Sequence, residues 1–250
     1  MLKITMGTAV AAAGITSAGA QPSTDLEKPV VDAPHPMITE VLYAVPPGDD
    51  GDAWPDGTRD ATGDEFVELY NPHDRTITLT GYTVSDRNRG GTGEFAFTFP
   101  PFRLGPGEVV VIFNGHGQSF AGKGVIGTAE RAPRDENEDM GCFVFHAGND
   151  SKYTALSNRG DWVLLTDPED QPVQVVHWGE FDEDVPSAPM VESIHERSSG
   201  SVCRYWMGGP MVLHHQIDGR SMSPGEHPVG PSPEEARRMA EEAEAEDGGG

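Results

Sequence analysis

At 250 residues, with 31 glycines and 21 prolines, the chain has room for one large turn-rich β domain with appendages or for two small domains. Its net charge of −24, from 17 basic and 41 acidic residues, excludes nucleic acid as an expected partner and disfavours anionic membrane surfaces, because both reward clustered Lys and Arg. Divalent cations, basic partners and plain solubility stay open.

The N-terminus reads as an export signal over residues 1–20. Lys3 gives a positive start, Ile4 to Ala20 is uncharged, and Ala18-Gly19-Ala20 forms a small-residue cleavage site. Gly7, Gly14, Thr16 and Ser17 interrupt the apolar run, which is too polar for a transmembrane helix, so no membrane insertion is expected after cleavage. Residues 21–35 are polar and Pro-rich and read as a linker.

From Pro36 the pattern becomes that of strands. Met37 to Val45 is the first, closed by Pro46-Pro47. Asp49 to Gly63 is an acidic, Gly-containing loop around Trp54. Asp64 to Tyr70 is a strand with large apolar groups on both faces, Val67 and Leu69 opposite Phe66 and Tyr70, which suits a central position. Asn71-Pro72-His73-Asp74 is a turn. Ile77 and Leu79 then alternate on odd positions, while Tyr82 and Val84 take even ones. A bulge or bend near Gly81 is therefore required.

Glu94 to Phe99 places Phe95, Phe97 and Phe99 on one face, and Glu108 to Asn114 is a buried-type apolar run. Residues 115–152 form a long Gly-rich and charged insertion, with a short strand at Cys142 to His146. Asp161–Thr166 and Pro172–Gly179 make a hairpin. Val191–Arg197 and Ser201–Trp206 are expected to pair as a last ribbon. The only helical pattern opens at Ser232-Pro233-Glu234-Glu235, a capping box, in an acidic tail over residues 230–250 that is expected to be marginally helical or disordered. Strands at short spacing without alternating helices give an all-β, antiparallel sandwich.

The ordered motifs ITEVLY, EFVELYN, LTGYTVSD, LGPGE, SNRGDWVLLTD and a closing SPGEHP resemble a lamin-tail domain of the bacterial exported kind, over about residues 37–228. The resemblance implies an immunoglobulin-like sandwich, here a single domain over 36–229, in which the bend at Gly81 belongs to the motif. It also implies a non-catalytic interaction, adhesion or cell-envelope module, with a protein or glycan at the cell surface as partner and a secreted or envelope location. No coiled-coil heptads accompany the motifs, so a nuclear filament role does not carry over.

The candidate sites are few. Glu65, Glu68, Asn71, Gly81 and Asp86 fall on motif positions. Carboxylates on strands without partners at defined spacing read as backbone fixtures rather than an acid/base pair. Asp49, Asp50, Asp52, Asp56, Asp60 and Asp64 crowd one loop and are candidate calcium ligands, although the EF-hand spacing is absent. Cys142 and Cys203 are either a disulfide, suited to an exported chain, or two buried thiols. His214, His215, His227 and Asp218 would serve the alternative function, a metal-dependent hydrolase of phosphoesters or glycans, but match no zinc spacing. Trp54, in a loop, is the candidate for stacking on a sugar.

Overall fold

The computed structural model describes residues 35–88, 93–149, 151–153, 155–195 and 199–247. The export signal, nearly all of the linker and the final Gly248–Gly250 lie outside the described residues. The chain is built on two sheets. The first has six strands in the order β13 (Met211–Leu213), β12 (Ser201–Arg204), β1 (Met37–Leu42), β2 (Phe66–Tyr70), β7 (Val109–Phe113) and β8 (Phe143–His146). The second has five, in the order β11 (Met190–Ile194), β10 (Pro172–Gly179), β9 (Gly160–Thr166), β4 (Thr83–Asp86) and β5 (Ala96–Thr98). A short ribbon pairs β3 (Ile77–Thr78) with β6 (Arg103–Leu104). This is the all-β sandwich that strand spacing and motifs imply.

Most pairings are antiparallel, but β7 with β8 and β10 with β11 run parallel. The expected ribbon of residues 191–206 does not form. β11 joins the five-stranded sheet and β12 the six-stranded one, so the chain crosses from one layer to the other between them. Short-range pairing loses there because each strand finds a longer partner: β12 pairs with β1 and β11 with β10. Arg204 on β12 reaches back to the Glu192 carboxylate of β11, a half-buried ion pair that ties the two layers at their edge.

Between the sheets lies the main core. Val67, Leu69, Val110, Ile112 and Val202 meet Val84, Val163, Leu165, Val176 and Trp178 there. Phe97 and Phe99 stand edge-to-face against Phe145 at 5.2 and 5.3 Å between ring centroids. Tyr43 stacks on Trp178 at 4.3 Å. Each large side chain buried this way contributes about 1.5–3 kcal/mol.

Register shifts help set which side chains face this core, and two of them bear on motif residues. The first is at Gly81, which adopts φ +82, while the Tyr82 amide closes a turn on the Leu79 carbonyl. Leu79 and Tyr82 both end buried, as the parity change in the sequence demands. The second lies in β1, whose pairing with β2 shifts between Ile38 and Glu40. Ile38 and Val41 thereby both face the core, and Glu40 and Leu42 turn outward. Gln174, from the opposite sheet, accepts the Ile38 N–H at 2.7 Å and returns its own amide to the Ile38 carbonyl.

The outward face of the six-stranded sheet is also buried. Leu42, Phe66, Val109, Val111, Phe113 and Val144 pack there beneath Trp54, Phe120, Ile126, Met140 and Met222. The 115–152 insertion is thus a cover for this face and donates β8 to the sheet edge. After the one-turn helix α1 (His215–Asp218), the tail forms α2 (Pro233–Asp247), and its capping box is closed by Ser232 N–H to Glu235 (2.8 Å) and Glu235 N–H to Ser232 Oγ (3.2 Å). A Cβ at position 81 would meet left-handed strain and Pro168 at 3.1 Å. Gly81→Ala is expected to lose about 1–2 kcal/mol in urea unfolding.

Candidate functional site

The acidic loop comes first. Asp64, at the mouth of β2, accepts the Trp54 amide (2.8 Å), the Asp60 amide (2.7 Å) and the Gln118 side chain (3.1 Å). Burial pushes its carboxyl up to about 6 even so. Asp60 accepts the Thr62 and Gly63 amides, which together with His116 hold it below the usual range despite partial burial. Asp56 caps Thr58 and Ser119, and Asp52 caps Gly57. Asp49 and Asp50 sit exposed in a single 3-10 turn. The loop is acidic because its own amides need acceptors. Among the described residues, no three of these aspartates bring ligand oxygens to one point.

Trp54 is not a platform for sugars. It is 1% exposed, donates Nε1–H to the Ser119 carbonyl and packs on Phe113 and Phe120. Its place in a loop misled because this loop folds down onto a sheet.

Asn71 is a structural hub. Its amide serves the carbonyls of Arg75, Leu104 and Gly105, and its oxygen accepts the His73 N–H. Glu65, Asp86 and Asp161 gather from β4, β9 and the start of β2 at one end of the sandwich. Glu65 accepts the Ala155 and Leu156 amides, and Asp161 accepts those of Ser157 and Trp162. Burial raises all three carboxyls, and their mutual repulsion adds to the effect on Glu65 and Asp86. Asp86 is pushed up to about 7.

The outward face of the six-stranded sheet holds the other cluster. Register places Cys203, Glu40, Glu68 and Val111 side by side across β12, β1, β2 and β7. Glu68 accepts Thr39 Oγ1–H (2.6 Å) and the Gly225 amide (2.8 Å). Burial and the neighbouring Glu40 keep its carboxyl well above the usual range. Glu40 accepts Ser201 Oγ–H (2.5 Å), the Ser223 amide (3.0 Å) and Ser223 Oγ–H (3.1 Å). His214, fully buried, places Nδ1 3.3 Å from Glu40 Oε1 and Nε2 3.5 Å from Asp218 Oδ1.

This row decides between the two alternatives for the cysteines. Cys142 and Cys203 are both buried free thiols. Four strand steps, roughly 19 Å, lie between β12 and β8, with both glutamates in the gap, far beyond the reach of a disulfide. The late histidines also do not converge. His214 joins Glu40, His215 points to solvent, and His227 lies against Tyr70 at 4.6 Å. Glu40 was missed in the sequence. Its only signal is a lone acid in a strand of apolar residues beside Thr39.

An open cleft of about 460 Å³ lies beside the β3–β6 ribbon. Phe102, Phe143, Pro101 and Pro133 line it, with Arg103 and Arg134 at its walls. Thr78 and Thr80 complete the polar lining, which holds no carboxylate, histidine or thiol.

Raised carboxyls set the pH dependence of stability. Asp86 binds a proton in the native state up to about pH 7, but only below about pH 4 when unfolded. Its contribution is complete below the unfolded value and is lost as pH rises toward 7. Asp86→Asn is expected to raise the urea midpoint at pH 8 relative to the wild type and to leave it nearly unchanged at pH 4. A larger wild-type advantage at pH 8 would contradict this.

The family model described as Lamin Tail Domain matches residues 31–180. A search of curated proteins returned no match. The matched stretch carries β1 to β10 and thus most of both sheets, together with the Glu68, Asn71, Gly81 and Asp86 positions. The chain belongs to the lamin tail domain family.

Proposed function

We propose that this lamin-tail domain, a non-catalytic module, acts outside the cytoplasm as an adhesion or envelope component that binds a protein or glycan. The observation that supports this most is where the reactive-looking groups lie. Glu40, Glu65, Glu68, Asp86 and Asp161 are all buried and hydrogen-bonded to the protein itself. The open cleft carries only aromatic rings, prolines, threonines and two guanidinium groups, and so holds recognition chemistry without reaction chemistry. In a chain of net charge −24, Arg103 and Arg134 favour a partner segment that presents carboxylates.

A panel of phosphoester and glycan substrates, tested with several divalent metals, is expected to show no turnover by the folded chain. Metal-dependent turnover abolished by His214→Ala would replace this reading with the hydrolase. Arg103→Glu with Arg134→Glu is expected to abolish retention of the binding partner recovered from cell-surface fractions, with the fold unchanged by circular dichroism.

Calcium enters the proposal by drawing together Asp49, Asp50 and the unpaired Oδ1 of Asp52, which lie apart in this structure, since Asp56, Asp60 and Asp64 are engaged with loop amides. Thermal unfolding in calcium against chelator is expected to show a higher Tm that Asp50→Asn with Asp52→Asn removes. Equal Tm values would return these aspartates to solvation.

A further inference from the structure

We infer that Glu40, Cys203 and His214 form a binding site for one divalent transition-metal ion of the zinc class. Three different elements supply the donors: β1, β12 and the residue that follows β13. Their ligand atoms lie within 4.8 Å of one another, and all three residues are buried. The 3.3 Å between His214 Nδ1 and Glu40 Oε1 is the separation of two ligands that each lie about 2.0–2.1 Å from a tetrahedral ion.

An independent observation points the same way. His214 is fully buried, yet neither ring nitrogen has a hydrogen-bond partner of acceptable geometry. A buried imidazole left so is costly unless something else engages it. An ion on Nδ1 would do so, and Asp218, 3.5 Å from Nε2, stands where a carboxylate supports a metal-bound histidine. Ser201 and Ser223 already fix the Glu40 carboxylate.

The donor set selects the metal. Thiolate and imidazole suit zinc-class ions and not calcium, which takes six or more oxygens. Glu40 and the Cys203 thiolate together cancel the charge of a divalent ion. Coordination therefore releases one proton to solvent as the S–H bond is replaced by a metal–sulfur bond, and affinity falls with acidification. Cys203 and His214 lie beyond residue 180, outside the matched family stretch, so the family does not imply this site.

The test uses the full chain, refolded from denaturant with zinc or with chelator because the site is enclosed. One zinc retained per chain after gel filtration and a raised Tm are expected. Cobalt(II) is expected to give a thiolate-to-metal charge-transfer band. Cys203→Ser should abolish that band, and Cys203→Ser and His214→Gln should each weaken zinc binding by more than about a hundredfold. Asp218→Asn should weaken it about ten- to a hundredfold, and Cys142→Ala should leave it intact. If Cys203→Ser fails to fold, the wild-type cobalt band and His214→Gln decide. No retained zinc, no thiolate band, or equal affinity in the folded variants would overturn the proposal.

Discussion

Two glutamates facing each other across β1 and β2, in a sheet covered on both sides, set the terms for the rest of the molecule. Glu40 and Glu68 are paired in register and fully buried. Carboxyl groups removed from water need donors, and two adjacent ones repel if both ionise. The chain answers with Thr39 from beside them, Ser201 from β12, and Ser223 and Gly225 from the segment beyond residue 220. That segment can reach them only because β12 and β13 extend the sheet on the far side of β1. The outer layer over this face is therefore as much a consequence of two acids as of the apolar residues around them.

The same logic holds at the other polar sites. Asp60 and Asp64 draw the acidic loop down over Phe66 and Phe113, and Trp54 then fills the space beneath. Glu65 and Asp161 gather the amides of residues 155–157 and 162. In each case an acid in a strand, or in the turn that leads into one, organises a neighbouring loop. Acidity in this chain is in part a loop-folding device and in part solvation, as on the exposed face of α2.

Elements with strong local signals were legible in the sequence. The alternation of Phe95, Phe97 and Phe99, the parity change around Gly81, the 161–179 hairpin and the Ser232 capping box all depend on neighbours in the chain, and the structure forms them as read. Long-range choices were not legible. The separation of β11 from β12 follows from competition among distant partners, which no local pattern reports. Cysteine count alone leaves Cys142 and Cys203 as a disulfide or two thiols, and only the strand order, with β1, β2 and β7 between them, decides. Glu40, Cys203 and His214 are 163 and 11 residues apart along the chain, and no spacing rule covers such a set. Only the sheet brings them together.

The position of β1 has a consequence for how the chain can be made. It is the first strand in order of synthesis, yet its partner on one side, β12, follows some 160 residues later. Until those residues leave the ribosome, one edge of β1 stays open and Glu40 lacks the hydroxyl and amide donors of Ser201 and Ser223. The β1–β2 hairpin can form early, but the layer over the glutamates closes last, against the entropy of a very long loop. A nascent chain halted near residue 180 would hold most of both sheets with a raw strand edge, the kind of surface that holdase chaperones occupy and that pairs wrongly when they do not.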